Sequence, residues 1–305
     1  MRRFPTTRQA ENHTLPFTLV NASWRLRLPA TMEIMPDPSL PEILDFARAL
    51  SREAGRFILP LWKNVAVDYK TDGSEVTQAD RGAEQLLRSR IRERYPDHVI
   101  LGEEFGGERI RDAEHMWLLD PVDGTASFAM GLPVFGTLIG YMRRGEPCVG
   151  VVGGHALGET LYAATGLGCW YQRDGTTPQR VQTSAVTRVS DALVVATAIE
   201  LTDLDPRRPK PSVHLSRLYS RARRFRWSGD CINYVLLCQG RIDVALDSRM
   251  NPWDIAAVVP CVREAGGVLT AVDGGDDVVW QPSLVASATP ALHAEVLQTL
   301  SGQEV

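Results

Sequence analysis

The sequence has no apolar run close to the roughly 20 residues that a membrane-spanning helix needs, so no membrane partner is expected. It also lacks an excess of basic residues. Its formal net charge is -4, which argues against a nucleic-acid partner. No Gly-x-x-x-x-Gly-Lys-Ser/Thr phosphate loop, internal repeat or low-complexity tract is present. With 44% hydrophobic and 23% charged residues, the composition is typical of a soluble globular protein.

Cysteine is scarce, with five residues among 305, and none of them stands in a Cys-x-x-Cys pair. That pattern favours reduced, mostly buried thiols, and we expect a cytoplasmic protein. None of the six histidines belongs to a strong motif. Structural, hydrogen-bonded roles are therefore favoured for them over metal ligation.

The first 36 residues differ from the rest because they are rich in Arg, Thr and Pro and show no sustained periodicity. We expect them to form a disordered extension, or to reflect a start codon placed too far upstream, with Met32 or Met35 as the true start. A targeting peptide is the alternative interpretation of an Arg-rich beginning.

Helices and strands follow one another in mixed order over residues 37–305. Apolar residues at helical spacing predict helices over 41–64, 79–94, 231–238 and 252–265. Short apolar runs such as 99–101 and 117–119 predict strands. A polar, Thr-rich segment at 172–188 separates two expected lobes, 37–183 and 184–305. This mixture is typical of an α/β protein in which helices sandwich layered sheets.

One apolar run ends in a motif that offers metal and phosphate chemistry together. Two carboxylates, Asp120 and Asp123, follow the run, and Pro121 has no N–H for ordinary strand pairing. Gly124 permits a sharp turn, and Thr125 stands where a short helix begins. The alternative is a plain turn with capping aspartates.

Other acids occupy comparable positions. Glu103 and Glu104 follow a second apolar run, Asp254 opens a helical pattern, and Asp80 stands three residues after Thr77. Two ionised carboxylates 4 Å apart repel by roughly 4 kcal/mol at an effective dielectric of about 20, so a cluster of them requires protons or cations. Oxygen ligands without Cys or His favour Mg²⁺, or Mn²⁺, over Zn²⁺.

These motifs, in this order and spacing, resemble the inositol monophosphatase family of magnesium-dependent phosphatases. The resemblance runs from about residue 44 to the C-terminus and includes Glu264-Ala265-Gly266-Gly267. It implies an α-β-α-β-α sandwich with mixed sheets and two lobes. It also implies a small phosphorylated metabolite as substrate and a homodimer.

The resemblance also implies roles for individual residues. Metal ligation is implied for the side chains of Glu103, Asp120, Asp123 and Asp254 and for the carbonyl oxygen of Val122. The Asp80–Thr125 pair, with Glu103, is implied in orienting the attacking water, and the N–H groups of Gly124 and Thr125 in holding phosphate. Glu104 and Lys70 are expected to support the site without binding the metal.

The implied mechanism is in-line attack of a metal-activated water on phosphorus, without a phosphoenzyme. A rival phosphatase class uses Asp-x-Asp-x-Thr, with its first aspartate as nucleophile. Here one more residue separates Asp120 from Asp123, so that class is rejected.

Two further acids bear on the substrate. Gly229-Asp230-Cys231 resembles the histidinol-phosphate phosphatase branch of the family, as does Asn251-Pro252-Trp253-Asp254. Asp230 would pair with a cationic leaving group, or cap the helix that follows it, and Asp247 matches an acid that contacts the leaving group. Residues 126–130 and Ile232-Asn233 depart from that branch. Histidinol-phosphate phosphatase, in histidine biosynthesis, is the favoured function. Inositol-1-monophosphatase or a broad sugar-phosphate phosphatase is the alternative, and a non-catalytic homologue is disfavoured because every matched ligand is present.

Overall fold

The fold rests on two β-sheets with helices on both sides of each. A computed structural model describes residues 37–63, 67–69, 75–207 and 213–302. The expectations for residues 1–36 and for Lys70 lie outside the described residues. No helix among the described residues is long and apolar enough to cross a membrane.

The helices of the described chain occupy the following segments: α1 Leu40–Ile58, α2 Gln78–Arg94, α3 Thr125–Ala129, α4 Leu215–Arg221, α5 Ile232–Cys238, α6 Pro252–Ile255, α7 Val258–Glu264 and α8 Pro290–Ser301. The strands in its first half are β1 Val67–Tyr69, β2 Glu75–Thr77, β3 Val99–Gly102, β4 Met116–Asp123, β5 Gly136–Arg143, β6 Glu146–Gly154, β7 Glu159–Ala164, β8 Gly168–Arg173 and β9 Gln179–Arg180. Those in its second half are β10 Leu193–Ala196, β11 Arg224–Trp227, β12 Val244–Asp247, β13 Val268–Thr270 and β14 Leu284–Ser287.

Strands β3 to β9 form a seven-stranded sheet in sequence order, and the five-stranded sheet has the order β11-β10-β12-β14-β13. Both sheets are mixed, because β3 pairs with β4 in parallel while β4 and β5 are antiparallel, and β10 pairs with β12 in parallel while β12 and β14 are antiparallel. The remaining strands, β1 and β2, form an antiparallel pair.

Three buried apolar clusters show the order of the layers. One joins α1 and α2 to a face of the larger sheet. The second lies around α5, α6 and α7, between the larger sheet and the smaller one. The third joins the far face of the smaller sheet to α4 and α8. The layers therefore alternate as α-β-α-β-α, which confirms the predicted α/β fold class. The larger sheet ends at Arg180 and the smaller begins at Leu193, while the lobe boundary near residue 183 stays a prediction.

Helix α2 confirms the predicted helix over 79–94 and begins where the sequence places it. Thr77 caps the helix, and a reciprocal capping box links it to Asp80. The predicted helix 41–64 is shorter and ends at Ile58. Pro60 explains the early end, since it has no N–H to donate to the carbonyl of residue 56.

The single helix predicted over 252–265 is wrong, because the structure has α6 and α7 in its place. Pro260 accounts for the break at Ala256 and Ala257. It has no N–H to donate to the carbonyl of residue 256, and its ring crowds that carbonyl. The break also places Ala256 and Ala257 against Gly140 and Gly150, where an added Cβ would lie 2.7 Å and 1.9 Å from their atoms.

Candidate active site

Strand β4 ends in the turn that the sequence singled out. It runs through Pro121 to Asp123, but its pairing register with β5 shifts between Asp120 and Asp123. Pro121 thus disturbs the ladder without ending the strand, and the hydroxyl of Thr137 donates to its carbonyl oxygen at 2.8 Å. Gly124 then turns the chain with φ of 83° into α3.

Gly124 is required by space as well as by its backbone angle. A Cβ at this position would lie 2.7 Å from a carboxylate oxygen of Asp230 and 3.0 Å from the carbonyl oxygen of Val134. Only glycine occupies such a backbone conformation at little cost. The turn therefore brings the β4 motif into contact with a residue more than a hundred positions downstream.

Asp120, Asp123 and Asp254 form the carboxylate cluster of the site. One oxygen from each lies within 4.8 Å of the other two, a separation suited to a shared metal ion. Strand β4 supplies the first two, and the N-terminal turn of α6 supplies the third.

Each member of the carboxylate cluster is also held by a backbone N–H. Val122 donates to Asp120 at 3.0 Å, Cys231 donates to Asp123 at 2.6 Å, and Asn251 donates to Asp254 at 2.7 Å. These bonds orient the carboxylates from the protein side and leave an oxygen of each turned toward the shared space.

The electrostatics show that the cluster holds more negative charge than the protein compensates. Burial, and then the charge of Glu103, raise the pKa of Asp120 well above its usual value. Burial, and then the charge of Asp230, do the same for the pKa of Asp123. Burial, with a smaller contribution from Glu103, raises the pKa of Asp254 to about 7. The three groups therefore compete for protons where no cation neutralises them.

Glu103 lies at the end of β3, next to the carboxylate cluster. Its N–H donates to the carbonyl oxygen of Leu119 at 3.1 Å, which joins it to β4. Its carboxylate is not one of the three whose oxygens lie within 4.8 Å of one another. Its charge nevertheless contributes to the raised pKa values of Asp120 and Asp254. The structure thus brings together three of the four side chains for which ligation is implied and places the fourth, Glu103, near enough for its charge to act on two of them.

The Asp80–Thr125 pair is present at the helix ends beside the cluster. The Thr125 hydroxyl lies 3.1 Å from Asp80 Oδ1 and 3.1 Å from the carbonyl oxygen of Val122. A hydroxyl has one proton, so the two acceptors share or alternate it, and its lone pairs remain able to accept from a water molecule. Asp80 is completely buried, and burial is the main cause that raises its pKa.

A cavity that is partly open to solvent joins Asp123 and Asp254 of the carboxylate cluster to Asp230 and Asp247. Asp230 has φ of 55°, which is unusual for a residue with a side chain. Burial, followed by the charge of Asp247, raises the pKa of Asp230 to about 6. The Tyr234 hydroxyl donates to Asp247 at 2.6 Å. Four aspartates line this cavity with a single arginine, Arg249.

Helix capping is not the role of Asp230. The residue before α5 is Cys231, and no side chain caps that helix end. The Ser127 hydroxyl instead donates to Asp230 at 3.3 Å. The Asp230 N–H donates to the Thr197 hydroxyl at 3.3 Å.

Several residues at the site were missed by sequence reasoning. Thr197 also hydrogen-bonds the Asp247 carboxylate, where it lowers the raised pKa of that group, and no local signal connects residues 50 positions apart. Glu84 accepts from the N–H of Glu104 at 2.7 Å, and it could have been found, because it follows Asp80 by one helical turn on the same face of α2. The contact of Glu104 with Glu84 is thus made by its backbone N–H.

The donor set suits a hard cation. The three members of the carboxylate cluster, the nearby Glu103 and the adjacent Val122 carbonyl are all oxygen donors, which is the preference of Mg²⁺ and Mn²⁺. The thiol of Cys231 is a poor candidate for a metal ligand, because burial raises its pKa well above the usual value and disfavours the thiolate. The residues present therefore fit a divalent metal held by oxygen.

Known proteins with this arrangement identify its family. The family model described as the inositol monophosphatase family matches residues 39–304. The histidinol-phosphatase of Chlorobaculum parvum is 36% identical over 264 residues, 86% of this chain and 97% of that protein. The inositol-1-monophosphatase of Synechocystis is 37% identical over 262 residues, 85% of this chain and 88% of that protein.

The solved structure of the IMPase of Thermotoga maritima has the same fold, with a TM-score of 0.74 at 32% identity, covering 84% of this chain and 96% of that one. The sequence motifs, the order of the layers, the geometry of the carboxylates and the similar proteins all indicate the same family. The chain is a phosphoric monoester hydrolase and belongs to the inositol monophosphatase family.

Proposed function

We propose that this protein is a Mg²⁺-dependent histidinol-phosphate phosphatase. The observation that carries the proposal is the cavity in which Asp230 and Asp247 face the carboxylate cluster. Histidinol phosphate has an ammonium and an imidazole on its leaving group, so it offers cationic donors to the half-buried carboxylate of Asp230 and the buried one of Asp247. Inositol phosphate has only neutral hydroxyls there. The similarity to the histidinol-phosphatases of Chlorobaculum parvum and Mycobacterium tuberculosis supports the same assignment.

Asp120, Asp123 and Asp254 would hold the metal with Glu103 and the carbonyl oxygen of Val122. When bound, Mg²⁺ lowers the pKa of coordinated water and offsets negative charge on the phosphate and the leaving oxygen. Each of the three carboxylates accepts a hydrogen bond from a backbone N–H, which fixes its orientation, so together they would hold the positive charge of the metal at the cavity.

Thr125 and Asp80 would accept the proton from the attacking water. The Thr125 hydroxyl can accept a hydrogen bond from that water while it donates to Asp80 Oδ1, so the proton can pass along this path. Glu103 lies on the same side and would orient the water. The N–H groups of Gly124 and Thr125, at the beginning of α3, would hold the phosphate oxygens in place.

Asp230 would bind the cationic end of the leaving group. Its positive φ and its bonds to Ser127 and Thr197 hold the carboxylate against the Gly124 turn, and thus beside the phosphate position. Asp247 would bind the second nitrogen of the substrate, with its orientation fixed by Tyr234.

Inositol-1-monophosphatase activity is the second candidate. The relative from Synechocystis with that name is as similar to this chain as the histidinol-phosphatases are. Arg249 in the cavity wall also favours a less cationic leaving group.

Phosphate release with Mg²⁺ decides between the candidates when histidinol phosphate, inositol 1-phosphate and an adenosine bisphosphate are compared. One charge-assisted hydrogen bond contributes about 1.5–3 kcal/mol, so we expect kcat/KM for histidinol phosphate to exceed the others by about tenfold or more. Equal or better turnover of inositol 1-phosphate would contradict the proposal. No turnover of any ester would contradict catalysis itself.

A further inference from the structure

We propose that Glu84 positions the metal-binding Glu103 by holding the loop 102–107 through its backbone, an inference that rests on the proposed metal site. Glu84 lies on α2, is completely buried, and touches neither the substrate cavity nor the carboxylate cluster. It is a positioning residue, because its contacts reach Glu103 only through the loop.

The Glu84 carboxylate accepts two consecutive N–H groups of the loop. Glu104 donates to Oε2 at 2.7 Å, and Phe105 donates to Oε1 at 3.2 Å. These N–H groups directly follow Glu103, so they fix the peptide plane from which the Glu103 side chain starts. Bonds to a charged acceptor are roughly twice as strong as neutral ones.

Arg88 completes the arrangement one turn further along α2. Its Nε donates to Glu84 Oε1 at 2.7 Å, and its Nη2 donates to the carbonyl oxygen of Gly106. The pair is buried, with side-chain exposures of 9% for Arg88 and 0% for Glu84. Charge on Glu84 is therefore balanced by the protein, in contrast to the carboxylate cluster.

The loop is shaped to fit over this carboxylate. A Cβ at position 102 would lie 2.2 Å from Glu84 Oε1, so only glycine allows the contact. Gly106 and Gly107 have φ of 62° and 143°, which lets the chain return to bond Gly102 at 3.0 Å. The loop thus wraps around Glu84.

Helix α2 therefore carries two supports at consecutive turns of one face. Asp80 accepts the Thr125 hydroxyl at 3.1 Å, and Glu84 holds the loop of Glu103. Residues four apart on a helix lie one above the other, about 5–6 Å apart. The rigid helix would thereby set the spacing between Thr125 and Glu103, the two groups proposed to orient the attacking water.

The test uses the full-length protein with Glu84→Gln, in which one acceptor oxygen is replaced by an amide. Mg²⁺ binding is measured directly by calorimetry. The protection of the Glu104 and Phe105 amides is measured by hydrogen–deuterium exchange on the metal-free protein. Supporting residues around metal ligands affect metal affinity by about 10–100-fold, so we expect Kd for Mg²⁺ to rise by about that factor. Exchange of the two amides should accelerate, and activity should return partly at high Mg²⁺.

Glu53→Gln is the matched control. Glu53 of α1 pairs with Arg90 of α2 at 3.0 Å, and the two side chains are 31% and 51% exposed. Because Glu84→Gln leaves Arg88 buried without an anionic partner, the double variant Glu84→Gln/Arg88→Met is measured wherever the single variant does not fold.

Unchanged Mg²⁺ affinity in a folded Glu84 variant, or a loss equal to that of Glu53→Gln, would overturn the inference. Protected amides at Glu104 and Phe105 would overturn it as well. If the wild-type protein binds Mg²⁺ but does not hydrolyse histidinol phosphate, only the proposed substrate fails. If it binds no Mg²⁺, the proposed metal site fails, and with it the role of Glu84.

Discussion

The carboxylate cluster predicts that removing one of its charges stabilises the metal-free protein. The perturbation is Asp254→Asn, which retains an oxygen that can accept the Asn251 N–H. The folded-state pKa of Asp254 is raised from 3.8 to about 7, so the carboxyl binds protons more tightly in the folded chain. Stability is then lost as pH rises from 3.8 through about 7, and the loss is complete above that pH.

The magnitude follows from the width of this pH window. A pKa difference of one between the folded and unfolded states is equivalent to about 1.36 kcal/mol of unfolding free energy. The rise from 3.8 to about 7 therefore corresponds to a loss of at most about 4 kcal/mol at pH 8. Asp254 is partly exposed, and solvent screening reduces that figure. We expect the Asn variant to gain ~2 kcal/mol in metal-free solution, or about 3 °C in Tm for a chain of 305 residues.

Thermal unfolding with and without a chelator at pH 8 measures this gain. In the wild-type protein, Mg²⁺ at 100 times its Kd should restore about 2.7 kcal/mol, whereas the Asn variant should gain much less and lose activity. The exposed Asp45 provides the control, because its side chain is 76% exposed and its replacement by Asn should change stability by less than about 0.5 kcal/mol.

Two results would refute the reasoning. One is an Asn variant that is less stable than the wild type in chelator at pH 8. The other is a stability difference that does not shrink as the pH is lowered from 7 toward 4, because protonation of Asp254 should abolish the effect of the substitution there.

Three further predictions concern single sites. Asp230→Asn should lower kcat/KM for histidinol phosphate by about 10–100-fold but change that of a neutral ester little, and equal losses would contradict its role. Gly124→Ala should abolish most activity because its Cβ meets Asp230 at 2.7 Å, whereas Gly166→Ala, with φ of 80° and no atom within 4 Å, should cost only ~1–2 kcal/mol of stability by thermal unfolding. Burial lowers the pKa of His293 to about 4, so stability from this group is present above pH 6.5 and lost as pH falls toward 4. His293→Gln should flatten that dependence in urea titrations by up to about 1.4 kcal/mol per pH unit, and parallel curves would contradict it.

Local sequence predicted only some of the elements that carry the site. The start of α2 was predictable because Thr77 and Asp80 form a capping box whose partners are three residues apart. The break between α6 and α7 had a local signal, Pro260, that the apolar periodicity concealed. The order of the layers and the roles of the metal ligands followed from the resemblance, since no periodicity in the chain specifies them.

The contacts that place Asp230 in the cavity could not be predicted from local sequence. Asp230 reaches the site because its own φ is positive, its N–H meets Thr197, and Gly124 leaves room for its carboxylate. Each of these contacts joins segments at least 33 residues apart. A sequence motif can indicate that Asp230 is unusual, but only the tertiary arrangement shows which cavity it faces.

The acids of the site differ in how the protein compensates their charge, and this difference separates support from ligation. Glu84 accepts hydrogen bonds from the Arg88 guanidinium and from two N–H groups of the loop 102–107. Asp80 accepts hydrogen bonds from the hydroxyls of Thr77 and Thr125. Each member of the carboxylate cluster receives a backbone N–H, and Asp123 and Asp254 also accept from the Cys231 thiol and the Asn251 amide, but these donors are neutral and the three groups face one another. Charge compensated by the protein needs no cation, whereas charge left facing other acids does. Metal should therefore stabilise the cluster strongly and leave the contacts of Glu84 unchanged, because those contacts form with or without the ion.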